Sequence, residues 1–215
     1  MKILHETAEY AVILKPAGML SQGAPGEEGD AVSLLSKLWG KPAYPVHRLD
    51  RSTGGVMVYA KSKKSAAALC EAIAQGRMQK EYLAVCHGAC PEEGEMKDLL
   101  FHRSAGNKSF VVDRMRAGVK DAELSYQRLE TISVPEKLSL VRVFLKTGRT
   151  HQIRVQFAHR GYPLYGDRKY GAHSPGEARL FCAKLTFPEP KSGKAVSFSA
   201  LPQEDIWDYF KELGE

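Results

Sequence analysis

The feature that most constrains the fold of this chain is a set of short β-strand patterns spread along most of its length. Residues 79–87 alternate between two apolar faces, with Tyr82 and Cys86 on one face and Leu83 and Val85 on the other. Similar strand patterns occur at residues 10–14, 56–60, 110–112, 122–132 and 139–146. A chain with this pattern is expected to build a β-sheet.

Helical patterns are fewer, and they lie between or after the strand patterns. Val32, Leu35 and Leu38 recur at helical spacing, Ser62 is placed to cap a second helix, and residues 205–210 predict a closing helix. Segments rich in glycine, serine and charge predict loops at residues 88–97 and 102–109. Because no repeat or low-complexity tract interrupts the chain, we expect one continuous α+β domain over residues 1–215.

Residues 47–55 have the sequence HRLDRSTGG, which places one carboxylate between two arginines and ahead of a Thr-Gly-Gly turn. Positive charge within contact distance favours the ionised carboxylate and typically lowers its pKa by about 1–3 units. An ionised Asp50 is a competent nucleophile, and Arg48 and Arg51 suit a polyanionic substrate. An isolated pattern of this kind is more often a surface salt bridge, so the interpretation needs a second motif.

Residues 146–155, with the sequence KTGRTHQIRV, are that second motif. Thr150 is placed to cap a helix, and in that register His151 and Arg154 share one face, a turn apart. Arg154 is therefore expected to project from an ordered helix and to reach a carboxylate on the Asp50 loop. Two alternatives stay open: Arg154 pairs with another acidic side chain or lies in solvent, and His151 only hydrogen-bonds neighbouring backbone.

Together the two motifs resemble the signatures of the RluA-type pseudouridine synthases, which isomerise uridine in RNA. The resemblance covers nearly the whole chain and includes the segments KPAG at 15–18, KEY at 80–82, AELSY at 122–126 and GDRKYG at 166–171. It implies an α+β catalytic domain with a mixed, largely antiparallel sheet, flanking helices and a central cleft. It also implies that the chain lacks the small S4-like RNA-binding module that many relatives carry upstream.

Carried over residue by residue, the resemblance makes Asp50 the catalytic aspartate, Tyr82 the active-site tyrosine and Arg154 the arginine that pairs with the aspartate. Asp50 would either attack the ribose C1′ or remove the C2′ proton, and the sequence leaves both routes open. The basic side chains in or beside the motifs are candidates for RNA contacts: Arg48, Arg51, Lys61, Lys80, Arg149 and His151. The chemistry calls for no metal ion and no organic cofactor.

Three positions depart from the family pattern. Gly54 occupies a place usually held by serine, Gln156 stands where histidine is common, and residues 181–183 read Phe-Cys-Ala where Leu-His-Ala is frequent. None of these departures removes Asp50 or Arg154, so they bear on substrate detail more than on activity.

The charge balance fits an RNA-binding protein without requiring one. The chain has 31 Lys and Arg residues against 25 Asp and Glu residues, a net charge of +6, and a pI of about 9.1. This moderate excess suits a protein that meets phosphates on one face. The N-terminus has no basic start followed by an apolar run, and no stretch approaches the roughly 20 apolar residues of a membrane span. We therefore expect a cytoplasmic protein without a membrane segment.

The four cysteines are Cys70, Cys86, Cys90 and Cys182. The spacing of Cys86 and Cys90, with His87 between them, faintly suggests a metal site, but there is no C-x-x-C and no second pair nearby. Free thiols in a reducing cytosol are the better interpretation.

Two other classes of protein fit parts of the pattern. A catalytically silent RNA-binding module on the same fold would be expected to lack Asp50, Tyr82 or Arg154, and all three are present. A metal-free ribonuclease would use His47 and His151 as exposed acid and base, and it leaves Asp50 unexplained. The favoured partner is a compact stem-loop of ribosomal or transfer RNA, bound by a monomer.

Overall fold

The computed structural model of the protein describes residues 1–23, 29–203 and 205–214. It divides into two compact units: unit 1 comprises Met1–Lys80 and Phe181–Pro202, and unit 2 comprises Glu81–Leu180 and Gln203–Glu215. The sequence predicted a single domain over residues 1–215, and that assignment stays a prediction.

The described residues form eleven β-strands, three α-helices and three short 3-10 helices. The strands are β1 (Lys2–Glu6), β2 (Tyr10–Lys15), β3 (Tyr44–Pro45), β4 (Gly54–Ala60), β5 (Gln79–His87), β6 (Glu93–Arg103), β7 (Lys108–Val112), β8 (Val119–Ile132), β9 (Leu138–Leu145), β10 (Leu180–Pro188) and β11 (Ala195–Ser199). The α-helices are α1 (Ala31–Trp39), α2 (Lys63–Ala74) and α3 (Gln152–His159). The 3-10 helices are Arg168–Tyr170, Asp205–Tyr209 and Lys211–Gly214.

Unit 1 is built on strands in the order β1-β2-β4-β10, with β3 beside β4 and β11 beside β10. The pairs are antiparallel except for β4 and β10, which run parallel. Every residue of β4 is buried, which explains why its sequence reads as an unbroken apolar run. The hydrophobic core of unit 1 contains Tyr10, Val58, Leu69 of α2 and Phe187.

Unit 2 is built on antiparallel strands in the order β5-β9-β8-β6-β7. Val155 of α3 and Tyr170 pack with Leu100 of β6 and Ala122 of β8 in one buried cluster. The strand pairing is thus mostly antiparallel with one parallel pair, and the predicted α+β class with flanking helices is confirmed. The central cleft stays a prediction.

The start of α2 follows the local sequence as predicted. Ser62 is the N-cap, and its Oγ accepts a hydrogen bond of 3.1 Å from the Ser65 backbone N–H. The Asp30 carboxylate does the same for α1, accepting from the N–H of Val32 at 2.9 Å and of Ser33 at 3.2 Å. Both helices therefore begin where a side chain satisfies backbone donors that would otherwise lack a partner.

Three expectations about secondary structure were wrong or incomplete. The predicted loops at 88–97 and 102–109 overlap β6, an eleven-residue strand, and the first residues of β7. β6 pairs with β7 on one side and β8 on the other, so backbone hydrogen bonds outweigh its weak strand propensity. Strands β1, β3, β10 and β11 were not predicted, and the tail forms 3-10 helices where one closing helix was expected.

Gly55 is required where β4 lies against β10. It has φ 125°, and it is paired with Cys182 in the parallel register. A Cβ at this position would lie closer than 3.0 Å to the backbone N, C and O atoms of Cys182. The strand that follows the Asp50 loop can approach β10 this closely only with glycine.

Gly55→Ala should lower the free energy of unfolding by roughly 2–5 kcal/mol, since it adds an overpacked contact to a strained backbone conformation. Urea unfolding of the purified variant measures this loss. Gly148→Ala is the matched control, because nothing lies within 4 Å of a Cβ built there and its φ is not positive. Equal stability of the two variants would contradict the packing described for Gly55.

Candidate active site

Asp50 lies in a tight turn of unit 1 between β3 and β4, and it is half-buried. The Thr53 N–H donates to the Asp50 carbonyl oxygen at 3.0 Å and closes the turn. The loop after β2 is joined to the same turn, because Gly18 N–H donates to the Arg51 carbonyl at 2.8 Å and Arg51 Nε donates to the Gly18 carbonyl at 3.0 Å. The backbone on either side of the carboxylate is thus fixed before any substrate binds.

A buried serine holds the other side of this turn. Ser21 Oγ donates to the Leu49 carbonyl at 2.8 Å and accepts from the Leu49 N–H at 3.0 Å. The Ser21 carbonyl in turn accepts a 2.8 Å hydrogen bond from the Tyr59 hydroxyl in β4. The Ser21 side chain therefore satisfies both backbone polar groups of Leu49, the residue that precedes Asp50.

Lys15 at the end of β2 has a fully buried side chain beneath this loop pair. Its Nζ donates to the carbonyl oxygens of Met19 at 2.7 Å, Pro16 at 3.0 Å and Arg51 at 3.4 Å. Burial lowers the pKa of Lys15 to about 8, and the charge of Asp50 acts in the opposite direction. The ammonium group ties the two loops together and places a positive charge near Asp50.

From the sequence, the positive charge near Asp50 was expected to come from the two flanking arginines, Arg48 and Arg51. Arg48 is exposed, and the guanidinium of Arg51 is engaged with a loop carbonyl. Lys15 lies in the KPAG segment, whose resemblance to the family assigned it no role. No sequence signal separates a buried lysine at a strand end from the exposed one that is usual there.

The pKa of Lys15 predicts a dependence of stability on pH. The unfolded chain holds the Lys15 proton up to the ordinary pKa of 10.5, whereas the folded chain releases it from about pH 8. Between these values the unfolded state binds more protons, so the cost of burying the charge falls and stability rises with pH. Relative to a Lys15→Met variant, the wild type should gain stability from pH 8 to 10.5 and show a constant difference below pH 7.

Urea unfolding of both proteins at a series of pH values measures this difference, because titrations common to both cancel. A difference that stays flat from pH 8 to 10.5 would mean that Lys15 titrates as an ordinary exposed lysine.

His47, at the start of the first motif, is a structural residue in unit 1. It is buried, and its Nε2 accepts a hydrogen bond of 3.3 Å from the Val58 N–H. Burial lowers the pKa of His47 well below its usual value, and the charge of Lys80 adds to this effect. The ring is therefore neutral at physiological pH and braces the Asp50 loop against β4.

Arg154 lies in the first turn of α3 in unit 2 and is buried. Its Nε donates to Asp167 Oδ2 and its Nη2 to Asp167 Oδ1, both at 2.7 Å. The guanidinium also lies over the Tyr170 ring, with Cζ 5.2 Å from the ring centroid. This two-point ion pair fixes the plane of the guanidinium, and an aromatic face supports it.

Asp167 is the site residue that the sequence interpretation missed. It lies in the GDRKYG segment, whose resemblance to the family assigned no role to this carboxylate. The pairing of Arg154 with an acidic side chain other than Asp50 was an open alternative, and the structure shows such a pair with Asp167. The predicted pairing of Arg154 with Asp50 stays a prediction.

His151 does not begin the helix as expected, because α3 starts one residue later, at Gln152. His151 is the N-cap and has φ 55°, so it lies outside the helical register shared by Arg154. Its ring is buried, with Nδ1 2.9 Å from the hydroxyl of Tyr170, which also accepts the Ser109 N–H at 2.8 Å. This placement favours the structural interpretation of His151 over a contact with RNA.

The other candidates for RNA contacts differ in how available they are. Lys61 pairs with Glu6 at 2.6 Å and lies over the Trp39 ring, and its side chain is only 11% exposed. Lys80 is half-buried, and burial lowers its pKa. Arg149 donates from Nε to the Asp121 carbonyl at 2.8 Å, and its side chain is half-exposed.

Tyr82 lies in β5, opposite Val143 of β9, and is 5% exposed. The alternating apolar pattern that predicted β5 therefore also predicted that the Tyr82 side chain lies on an apolar face. Its assignment as the active-site tyrosine stays a prediction.

Two of the departures from the family pattern lie beside each other in unit 1. Gly54 is paired with Phe181 in the parallel register of β4 and β10, and a Cβ at Gly54 would lie 3.2 Å from the Phe181 ring. The absence of a side chain at 54 thus makes room for the larger residue at 181. Gln156, the third departure, is buried in unit 2, where its Nε2 donates to Asp98 Oδ2 at 2.7 Å.

The cysteine and histidine side chains that suggested zinc are engaged otherwise. Cys86 Sγ donates to the Ser139 carbonyl at 3.7 Å. The proximity of the two thiols raises the pKa of Cys86 and lowers that of Cys90 to about 7. His87 has its ring nitrogens 3.1 Å from Glu136 and 2.9 Å from Ser174. In the described parts of the chain, no group of three or more His, Cys, Asp or Glu side chains is arranged to hold a metal ion.

Within residues 1–23, 29–203 and 205–214, no helix has the length and apolar character needed to cross a bilayer.

A family model described as RNA pseudouridylate synthase matches residues 9–159. The ribosomal large subunit pseudouridine synthase C of Buchnera aphidicola is 30% identical over 99% of this chain and 70% of its own length. The tRNA pseudouridine synthase C of Haemophilus ducreyi is 29% identical over 100% of this chain and 96% of its own length.

Solved structures of similar fold include two human proteins. Human RNA pseudouridylate synthase domain containing 1 has a TM-score of 0.79 and 21% identity, over 94% of this chain and 83% of its own. Human RNA pseudouridylate synthase domain containing 4 has a TM-score of 0.75 and 24% identity, over 93% of this chain and 87% of its own. These similarities show the fold.

Proposed function

Since this chain belongs to the RluA-type family of RNA pseudouridine synthases and is an isomerase, we propose that it converts specific uridines of ribosomal or transfer RNA, with Asp50 as nucleophile or base. The observation that carries the proposal is the Asp50 turn, closed by backbone hydrogen bonds and lying near the buried ammonium of Lys15. Because its backbone is fixed in this way, Asp50 needs less reorganisation when its carboxylate reacts.

The reaction breaks the C–N glycosidic bond of uridine, turns the uracil and joins C5 to the ribose C1′. No atom is gained or lost, because the proton released from C5 balances the one taken up at N1. Asp50 either forms an ester at C1′ or removes the C2′ proton to give a glycal, and both routes begin with an ionised carboxylate. Tyr82 is proposed to stack on the base and to assist loss of the C5 proton.

Arg154 is proposed to supply a fixed positive charge at the reacting nucleotide. The ion pair with Asp167 and the ring of Tyr170 support this role, since they hold the guanidinium in one plane. Arg48 is exposed next to the Asp50 turn, where Arg51 is also exposed but donates to the Gly18 carbonyl, and Arg149 is half-exposed before α3. We propose that these two contact phosphates, in preference to Lys61 and Lys80.

The substrate class rests on the relatives. Their names assign one to the ribosomal large subunit and another to transfer RNA, and this chain is about equally similar to both. We therefore propose a ribosomal or transfer RNA stem-loop as the substrate and the cytoplasm as the location. A monomeric state is part of the same proposal.

The ribonuclease alternative gains no support from the histidines it requires. His47 and His151 are both buried, and each is hydrogen-bonded through a ring nitrogen. An acid–base pair for RNA cleavage has to reach the 2′-hydroxyl and the leaving oxygen of an exposed phosphodiester.

The test is a map of pseudouridine in cellular RNA with and without the protein, followed by incubation of the purified protein with the RNA that loses a site. We expect at least one uridine to be converted while the RNA keeps its length. Identical maps together with no conversion in vitro would contradict the proposal, and shortened RNA would favour the ribonuclease.

A further inference from the structure

The hairpin formed by β6 and β7 in unit 2 carries an unusual surface. Phe101 is directly opposite Phe110, and Arg103 is directly opposite Lys108. Side chains two residues apart on a strand share a face, so these four side chains form one array on one side of the hairpin. We name this array the hairpin patch.

Cations lie over both aromatic rings of the hairpin patch. The guanidinium of Arg103 lies 5.2 Å from the centroid of the Phe110 ring, and Lys108 Nζ lies 5.8 Å from it. Arg116, in the connection that follows β7, lies 5.2 Å from the Phe101 ring. Both phenylalanines are half-exposed, so the array consists of aromatic faces bordered by cations.

The charge around the patch is strongly one-sided. The 22 residues from Leu99 to Lys120 contain five Lys or Arg residues and one acidic residue, Asp113, a net charge of +4, whereas the whole chain has +6. Within the described residues, none of these five cations takes part in an ion pair.

The opposed pair of cations costs stability in the isolated protein. Like charges directly opposite each other on neighbouring strands repel, and Arg103 faces Lys108 without a carboxylate between them. A polyanion bound across the hairpin removes that repulsion. Half-exposed aromatic rings beside the cations add a surface on which bases can stack, as in proteins that bind single strands.

The hairpin is also held in place. Lys169 Nζ donates to the carbonyls of Asn107 at 3.0 Å and Gly106 at 3.2 Å in the turn between β6 and β7. On the opposite face of the hairpin, Ser109 Oγ donates to the Thr150 carbonyl at 2.6 Å. The patch is thus presented on an anchored hairpin, which lowers the entropy lost on binding.

We propose that the hairpin patch is an RNA-binding surface that holds an unpaired segment of the substrate, with Arg103, Lys108 and Arg116 on its phosphates and Phe101 and Phe110 under its bases. The inference rests on the proposed function only in taking RNA as the ligand. It assigns RNA contacts to a segment in which none was predicted from the two motifs.

The test uses the full-length protein and a fluorescein-labelled 12-nucleotide oligouridylate, with polyphosphate as a competitor that has charge but no bases. One variant removes charge, Arg103→Gln with Lys108→Gln. A second keeps apolar bulk without the aromatic faces, Phe101→Leu with Phe110→Leu. The control is Lys191→Gln with Lys194→Gln, two exposed lysines in the β10–β11 turn.

The two patch variants should weaken RNA binding in different ways. Loss of two phosphate contacts makes the slope of log affinity against log salt shallower by about 1.4 and weakens oligouridylate and polyphosphate alike. Loss of the aromatic faces weakens oligouridylate by about fivefold or more, leaves the salt slope unchanged and does not affect polyphosphate. The control variant should bind both ligands as the wild type does.

Several results would overturn the inference. One is unchanged binding in both patch variants, and another is equal weakening in the control. If the phenylalanine variant bound as the wild type while polyphosphate displaced the RNA completely, the patch would be a site for acidic partners in general. Far-ultraviolet circular dichroism checks folding, and Phe110→Leu alone replaces the double variant if that one unfolds.

The proposed function is scored separately, by pseudouridine formation in the wild-type protein. Conversion of uridine with patch-independent binding would reject only the patch. Patch-dependent binding without conversion of any cellular RNA would reject only the proposed function.

Discussion

Asp50→Asn should abolish pseudouridine formation while the protein stays folded and still binds RNA. Asparagine keeps the shape of the side chain but supplies neither a nucleophilic carboxylate nor a base. The hydrogen bond that closes the turn is accepted by the Asp50 backbone carbonyl, so the substitution leaves it in place. Removal of a catalytic nucleophile typically costs about 10³-fold or more in turnover, and we expect a loss of that size.

The measurement is single-turnover conversion of the mapped RNA, with RNA affinity determined in parallel. Asp208→Asn, at an exposed position in a 3-10 helix, is the control for loss of one carboxylate and should be as active as the wild type. Residual turnover above a few per cent in Asp50→Asn would remove Asp50 from its assigned role. Loss of both turnover and RNA binding would point to a folding defect or a binding role.

The second large effect concerns the buried pair of Arg154 and Asp167. Arg154→Ala or Asp167→Asn leaves one charge buried without its two-point partner, which costs on the order of 3–5 kcal/mol of stability. Activity should fall together with stability. Arg154→Lys should rescue little, because an ammonium group cannot reproduce two parallel hydrogen bonds to one carboxylate.

A double replacement separates the structural role of this pair from a functional one. Arg154→Met with Asp167→Leu removes both charges, so stability should recover most of what the single variants lose. Activity should stay lost if Arg154 acts on the substrate. Urea unfolding and turnover measure the two quantities, and full activity of the stable double variant would show that the pair is only structural.

Arg160 with Asp98 is the matched comparison in the same unit. Its guanidinium also donates to one carboxylate, but the Arg160 side chain is 31% exposed, against 8% for Arg154. Arg160→Ala should therefore cost clearly less stability, since water can solvate the charge that remains. A cost equal to that of Arg154→Ala would contradict the importance of burial.

The sequence predicted those parts of the fold that depend on local pattern. The alternation in β5, the apolar run of β4 and the Ser62 cap of α2 are each encoded within a few residues, and each was found where expected. β6 was missed because its pairing with strands on both sides decides its conformation, and such pairing has no local signature.

The candidate site was predictable in its motifs and not in its contacts. The residue types around Asp50 and Arg154 indicated the chemistry. The burial of Lys15 and the pairing of Asp167 with Arg154 depend on tertiary contacts within unit 1 and within unit 2, respectively. Such contacts have no local signature in the sequence. The sequence shows Lys61 only as a basic residue beside a motif. In the structure it forms an ion pair with Glu6 and lies over the ring of Trp39, both distant from it in sequence.

The parallel pairing of β4 with β10 has a consequence for the order in which the chain can fold on the ribosome. The strands of unit 1 before Lys80 leave the ribosome first, but β10 and β11, which complete that unit, are translated about a hundred residues later. Domains generally fold as units during synthesis, so the continuous segment Glu81–Leu180 has its own strands available earlier. A nascent chain stopped before Phe181 would contain Asp50 and the whole first motif, but not the strand that lies against Gly54 and Gly55.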